Sequence, residues 1–163
     1  MKPGLRRAAC WLAGAWAGLV AGVGFVAAPA LFAMLPRADA GRVAAHLFKV
    51  DATIGVCAGA ILLVACLQLA RTDAERIGSS RFSTEMLLVL AALFCIVAGH
   101  YAIQPLIEAA RAGAGGPSFA VLHGVASAFF VVKFGVVAAL AWRLTGPPPA
   151  QAPAAVTAAG PSS

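Results

Sequence analysis

Residues 8–36 read AACWLAGAWAGLVAGVGFVAAPALFAMLP, and this stretch contains no charged side chain. An α-helix needs about 20 apolar residues to cross the hydrocarbon core of a bilayer, and this run exceeds that length. Lipid cannot satisfy an exposed backbone amide or carbonyl, so a spanning segment must close its hydrogen bonds internally. The stretch therefore predicts a transmembrane α-helix.

Three further runs have the same character. Residues 52–70 and 86–107 carry no charge, and residues 112–142 carry only Lys133. Each run is about as long as a bilayer crossing requires. We place the four helices, in chain order, at residues 9–35, 50–70, 85–107 and 119–142.

The ends of the chain and the start of the second helix complete the domain prediction. Residues 1–8 form a basic segment, 9–143 the transmembrane domain, and 144–163 a Pro- and Ala-rich tail predicted to be disordered. An apolar stripe through 39–49 allows the second helix an earlier start, with Asp39 as its cap.

The composition excludes soluble classes of protein. Of the 163 residues, 61% are apolar and 11% charged, and the mean hydropathy is +0.90. Ordinary soluble domains are near 45–50% apolar and about 25% charged. A soluble enzyme, a disordered chain and a nucleic-acid-binding domain are therefore excluded, although the net charge is +6. The expected class is an all-α integral membrane four-helix bundle with the lipid bilayer as its partner.

The basic residues predict the orientation. Seven Lys and Arg flank the termini and the second loop, whereas four flank the other two loops. Cytoplasmic loops carry the excess of Lys and Arg, so both termini of an antiparallel up-down bundle are predicted to be cytoplasmic.

Small residues recur at every fourth position in two of the helices. Gly14, Gly18 and Gly22 do so in the first helix, and Gly55 and Gly59 in the second. Helices associate in lipid through close backbone approach at small residues. This glycine zipper predicts packing within the bundle, and on the first helix it also allows a homo-oligomer seam. Trp11, Trp16 and Trp142 are interpreted as interface anchors.

Three segments are similar to a known family. They are the string FVAAPALFAMLPR at 25–37 with the apolar positions that follow it, YAIQP at 101–105, and FAVLHGVAS at 119–127. They resemble the transmembrane protein 205-like family, whose bacterial members carry domain of unknown function 4149. The likeness covers residues 11–142. The residues that carry it are Pro29, Leu31, Phe32, Leu35, Pro36, Arg37, Gly41, Leu47, Phe48, Pro105, His123, Gly124 and Ser127.

The resemblance implies a compact multi-pass protein of the bacterial inner membrane, in a family without a settled activity. Three positions depart from the family pattern. The family's serine usually follows His-Gly by one residue, whereas here Ala126 intervenes before Ser127; His100 replaces an Asn, and Lys133 falls at an uncharged position.

The histidines are the candidate metal ligands. Under the predicted topology, His100 and His123 lie at matching depths on the non-cytoplasmic side, on consecutive antiparallel helices. Asp51 lies at a suitable level, and His46 lies slightly above the boundary. Nitrogen and oxygen ligands of this kind suit zinc or copper. The competing interpretation is that His123 packs locally with Ser127 while His46 and His100 are solvated, and we favour it.

Lys133 is the charge predicted to lie deepest in a span. An intramembrane charge is a functional candidate, although a long Lys stem can also carry its ammonium group toward water. We favour this snorkelling, with Glu85 at the cytoplasmic mouth of the third helix as the reachable counter-ion.

The sequence shows no hydrolase, phosphate-binding or paired-carboxylate motif, so we expect a non-enzymatic protein without a cofactor. The leading prediction is a packing, interaction or small-solute-handling component of the inner membrane. The alternative is a metal-handling or transport protein that uses the periplasmic histidines.

Overall fold

The computed structural model describes residues 3–77, 83–113 and 116–146. These residues form six α-helices and two π-helical segments, and no strand occurs in the described ranges. In chain order the elements are α1 (Pro3–Ala21), a first π-helical segment (Gly22–Ala27), α2 (Ala28–Met34), α3 (Arg37–Ile77), α4 (Thr84–Ile96), a second π-helical segment (Val97–Ala102), α5 (Ile103–Arg111) and α6 (Phe119–Thr145).

Four continuous helical spans are long and apolar enough to cross a membrane. They are span 1 (Gly4–Met34), span 2 (Arg37–Thr72), span 3 (Thr84–Arg111) and span 4 (Phe119–Thr145). The predicted all-α class with four membrane-spanning helices is confirmed. Span 4 ends close to the predicted boundary, while residues 147–163 of the predicted tail lie outside the described residues.

The predicted start of the second helix at residue 50 is wrong, and the earlier start that the apolar stripe through 39–49 allows is the one found. α3 begins at Arg37 and continues for 41 residues, about 60 Å, which is roughly twice the thickness of the hydrocarbon core. Pro36 stops the preceding helix, and its carbonyl accepts hydrogen bonds from the amides of Asp39 and Ala40 in the first turn of α3. Asp39 is therefore inside the first turn, where its carboxylate pairs with Arg42 rather than capping the helix.

The four spans surround one core in sequential order. α6 packs against α1 and α4, and α3 packs against the same two helices. α3 and α6 therefore lie at opposite corners of the bundle. The centre is filled by deeply buried apolar side chains, which include Ala13, Trp16, Val20, Leu62, Cys66, Val89, Ala92, Val137 and Leu140.

The start of α1 and the end of α6 lie at the same end of the bundle. The Arg6 guanidinium donates hydrogen bonds to the carbonyls of Arg143 and Gly146, each at 3.0 Å. Arg143 also pairs with Glu85 at the start of α4, with 3.2 Å between Nε and Oε1. We call this the Arg143 end, and the opposite end, where α5 finishes, the Arg111 end.

Each π-helical segment comes directly before a proline-containing helix. A proline ring clashes with the carbonyl four residues earlier, and in this chain those carbonyls belong to Phe25 (for Pro29) and Tyr101 (for Pro105). Both residues lie inside π-helical segments, where the wider hydrogen-bond ladder relieves the clash. Spans 1 and 3 therefore continue past their prolines without a break.

The glycines of the predicted zipper have different surroundings. A Cβ built on Gly14, Gly18 or Gly22 meets no described atom within 4 Å, so the predicted packing of this ridge within the chain is not found. A Cβ on Gly59 would approach Leu93 Cδ2 to 2.5 Å, and one on Gly55 would approach Ile96 Cδ1 to 2.8 Å. Gly55 and Gly59 thus leave space for the side chains of Ile96 and Leu93 on α4.

Trp16 is a core residue, not an interface anchor. Its side chain is 2% exposed, whereas Trp11 is 76% exposed on the same helix. The Trp16 indole nitrogen lies 3.2 Å from the position that a Gly55 Cβ would occupy. The absence of a side chain at Gly55 therefore makes room for the indole between α1 and α3.

Candidate functional site

A cavity of about 430 Å³ opens within the bundle, and all four spans contribute to its wall. Its lining extends from Arg111, the last residue of α5, inward to Lys133 on α6. The aromatic part of the wall comprises Phe25, Phe32, Phe48 and Phe130. The polar part comprises Asp51, His100, Gln104, Arg111, His123, Ser127 and Lys133.

A buried ion pair lies in the cavity wall. Lys133 Nζ donates a hydrogen bond to Asp51 Oδ2 at 2.5 Å. Asp51 is 2% exposed and Lys133 is 5% exposed. Since Asp51 belongs to α3 and Lys133 to α6, the pair connects the two helices at opposite corners of the bundle.

The depth of the two charges follows from the helix bounds. α3 and α6 both begin at the Arg111 end, at Arg37 and Phe119. Asp51 comes fourteen residues after the first start and Lys133 fourteen after the second, so both lie roughly 21 Å along their helices. Equal depth on two helices that run in the same direction brings the carboxylate and the ammonium together.

The predicted environment of Lys133 is therefore wrong in two respects. The side chain does not snorkel, because its ammonium group is buried against Asp51. Its counter-ion is not Glu85, which pairs with Arg143 at the Arg143 end of the bundle. The sequence prediction missed Asp51 as the counter-ion of Lys133 because a second helix that started at residue 50 left this carboxylate at the membrane boundary.

Phe130 joins the ion pair to the aromatic wall. Lys133 Nζ lies 4.6 Å from the centroid of the Phe130 ring, within the range of a cation–π contact. The same ring meets Phe48 edge-on, with 5.2 Å between centroids, and Phe25 edge-on at 6.5 Å. A Cβ on Gly24 would lie 2.2 Å from Phe130 Cε1, so this glycine leaves the space that the ring occupies.

Asp51 keeps one oxygen without a partner. Oδ1 is buried and has no hydrogen-bond partner among the described residues, and it is the one side-chain oxygen there of which this is true. An ionised carboxylate offers about four acceptor positions. Lys133 therefore satisfies only part of the hydrogen-bonding capacity of Asp51.

His100 and His123 lie in the wall of the same cavity. His123 is exposed, and its ring stacks on Phe119 with 5.6 Å between centroids and 10° between planes. The Arg111 guanidinium lies 4.9 Å from the centre of the Phe119 ring. These stacked groups lie where α5 ends and α6 begins.

The predicted metal ligands are not assembled. In residues 3–77, 83–113 and 116–146, no three His, Cys, Asp or Glu side chains form a group that could hold a metal ion. His46 is exposed on α3 and is not a lining residue, and Asp51 is engaged by Lys133.

The predicted metal ligands are not assembled because they lie at different depths along the bundle. His123 lies roughly 6 Å from the start of α6, Asp51 roughly 21 Å from the start of α3, and His100 roughly 16 Å from the end of α5. His123 and Asp51 therefore lie about 15 Å apart along the bundle, which is too far for one metal ion to bind both.

Residues that carry the family resemblance contribute to the cavity wall. Six of these thirteen positions line the cavity, namely Pro29, Phe32, Gly41, Phe48, His123 and Ser127. They come from spans 1, 2 and 4, which the fold brings together around one space.

The comparison with family models agrees with the resemblance. The model described as "Domain of unknown function (DUF4149)" matches residues 11–115, more than half of the chain. The match includes the first two similar segments, and the third begins after it ends. No curated protein and no solved structure gives a significant match. The likeness to transmembrane protein 205 stays a resemblance.

Proposed function

Since the chain belongs to the DUF4149 family, whose name assigns no activity, we propose its function from its own cavity. The proposal is that the protein is a non-enzymatic component of the bacterial inner membrane that binds a small solute inside its four-helix bundle. The observation that carries the proposal is the buried Lys133–Asp51 pair in the cavity wall.

The size and chemistry of the cavity support solute binding. Ligand sites are commonly 300–1,000 Å³, mostly apolar, with a few polar groups that fix orientation. Charged side chains inside a membrane are rare because they are costly, and they commonly mark ligand or ion pathways. The ion pair also supports a binding role over catalysis, because each charge holds the other and neither is free to act as a base or nucleophile.

The distribution of basic residues supports a periplasmic opening. Arg6 and Arg143 lie at the Arg143 end, which belongs to the more basic side of the sequence. Cytoplasmic sides carry the excess of Lys and Arg, so we propose that both termini are cytoplasmic. The cavity, which reaches Arg111, would then face the periplasm.

A metal-handling function, the alternative that the sequence suggests, has less support. His100 and His123 do share the cavity wall. However, their third candidate partner, Asp51, already binds Lys133. A solute that needs no metal ligands fits this arrangement better.

Labelling of introduced cysteines tests the proposed cavity. In a background with Cys10, Cys57, Cys66 and Cys95 replaced by Ala, we expect Ser127→Cys to react with a membrane-impermeant maleimide added from the periplasmic side. The reason is that Ser127 lines the cavity, where water reaches the thiol. Mass spectrometry of the purified protein measures the labelled fraction.

Ala128→Cys is the matched control. Ala128 is the next residue on α6, exposed on the outside of the bundle and absent from the cavity lining. A thiol in lipid is not ionised and reacts slowly, so we expect little labelling there. Equal labelling at both positions, or labelling of Ser127→Cys only from the cytoplasmic side, would contradict the proposal.

The open glycine ridge supports a homo-oligomer. Gly18 has space beside it, so Gly18→Ile should leave the folded monomer intact while blocking close approach of a second copy. We expect this variant to lose the crosslinked species that wild type forms in membranes. Gly99→Ile is the comparison, since a Cβ there would lie 2.9 Å from Phe129 Cβ and should instead destabilise the monomer. An unchanged crosslinking pattern for a folded Gly18→Ile would rule out assembly through this ridge.

A further inference from the structure

The unpartnered oxygen of Asp51 restricts what the cavity can bind. Asp51 is a lining residue, its Oδ2 is held by Lys133, and its Oδ1 is the buried acceptor that lacks a partner among the described residues. Leaving a buried acceptor without a donor is unfavourable, and more so when the acceptor carries charge. A ligand that donates a hydrogen bond at this position would remove that penalty.

The net charge of the inner wall argues against a charged ligand. Lys133 and Asp51 neutralise each other, and Arg111 is exposed at the far end of the lining. An anion would have to compete with Asp51 for the ammonium group. A cation would have to share the carboxylate with Lys133 and would be repelled by it. An uncharged donor meets neither obstacle.

The rest of the inner wall fits a flat apolar body. Phe25, Phe48 and Phe130 form an edge-to-face cluster, and Phe130 also contacts the ammonium group of Lys133. The acceptor at Asp51 is therefore beside an aromatic surface.

We propose, resting on the solute-binding function above, that the cavity takes an uncharged amphipathic molecule. Its apolar, ring-sized body packs against the phenylalanine cluster, and its hydroxyl or amide N–H donates a hydrogen bond to Asp51 Oδ1. The ion pair then acts as a hydrogen-bond acceptor that is fixed in position and carries no net charge.

Four probes of similar size separate the chemical classes. They are 2-naphthol, an uncharged donor; 2-methoxynaphthalene, which lacks the donor; 2-naphthoate, an anion; and 2-naphthylmethylamine, a cation. The assay is protection of Ser127→Cys from the maleimide, with the protein in lipid nanodiscs. We expect 2-naphthol to give half-protection at a concentration roughly tenfold lower than the methyl ether, as for one hydrogen bond to a charged group. Both charged probes should protect less well than 2-naphthol.

Two double variants separate hydrogen bonding from partition into lipid. Asp51→Asn with Lys133→Met keeps an acceptor oxygen and removes both charges, so the advantage of the naphthol over its ether should persist. Asp51→Leu with Lys133→Met removes the acceptor, so the advantage should disappear. The ratio of the two half-protecting concentrations is compared between variants, which cancels any difference in lipid partition.

The outcomes are distinguishable. The ligand class would be overturned if the anion or the cation protects best. It would also be overturned if the naphthol-to-ether ratio in the reference protein, which keeps Asp51 and Lys133, equals the ratio in Asp51→Leu with Lys133→Met. If Ser127→Cys labels from the periplasm and none of the four probes protects it, the ligand class is also overturned while the solute cavity stands. If Ser127→Cys does not label, both proposals fail. The comparison of the four probes in the reference protein needs no Asp51 variant to fold.

Discussion

Lys133→Met is expected to lower the free energy of unfolding by about 3–5 kcal/mol, because it leaves the Asp51 carboxylate buried without its counter-ion. The two groups are held at 2.5 Å and are almost wholly excluded from the surface. Unfolding by sodium dodecyl sulfate in mixed micelles, followed by circular dichroism, measures the loss. The same variant should also accumulate less well in the membrane.

Two comparisons identify the ion pair as the cause. Replacing both charges, as in Asp51→Leu with Lys133→Met, should recover most of the loss, since apolar residues commonly substitute for a whole buried pair without a penalty. Lys49→Met makes the same substitution at an exposed lysine of α3 and should change stability by less than about 0.5 kcal/mol. If the double variant is no more stable than Lys133→Met, the pair does not interact as the structure describes.

Trp16→Ala is expected to lower the free energy of unfolding by about 3 kcal/mol, the lower part of the range for a buried large aromatic residue. We expect a value in the lower part of this range because apolar surface exposed to lipid costs little free energy, unlike apolar surface exposed to water. The loss comes from the void left between α1 and α3, where the indole packs over Gly55. The same detergent titration measures it.

Trp11→Ala is the control on the same helix. Its side chain is exposed, so its removal should leave the stability within about 0.5 kcal/mol of wild type. Comparable losses for the two tryptophans would mean that Trp16 is an interface residue, as its sequence position first suggests.

The four spans could be predicted from the sequence because a segment that crosses the lipid core must be an apolar run of sufficient length with few or no charges. The length of an uncharged run does not give the length of the helix that contains it, and α3 shows why. Its first thirteen residues, 37–49, contain charged side chains, yet they continue the helix beyond the uncharged run. Pro36 marks the true start, because a proline interrupts the preceding helix. Counting from Pro36 would have placed Asp51 at the depth of Lys133.

Four polar residues of the cavity wall could be singled out from the sequence, but their contacts could not, and His46, also singled out, is not a lining residue. Asp51, His100, His123 and Lys133 were all singled out from the sequence, and all four line the cavity. The contacts between them depend on the relative heights of the helices and on which helices lie diagonally across the bundle. The heights follow from spacing once each helix start is known, whereas which helices lie diagonally is not encoded in local spacing.

Glycine spacing shows the same limit. A repeat of four places residues on one face of a helix, and it does so equally for Gly14–Gly22 and for Gly55–Gly59. Only the second pair faces a neighbouring helix in the described chain. Periodicity identifies a face, whereas the arrangement of the other spans decides what meets it.

The connection between Asp51 and Lys133 has a consequence for biosynthesis. The two residues are 82 positions apart, and the carboxylate is synthesised first. At a translation rate of about 5–20 residues per second, the second span waits on the order of ten seconds for its counter-ion. During that interval Asp51 is a lone charge in a nascent membrane helix, which costs about 2.5–3.5 kcal/mol on insertion scales. Insertion of the last span therefore supplies the counter-ion of the carboxylate in the second span. A chain released before residue 133 would present the unneutralised carboxylate to the quality-control proteases of the membrane.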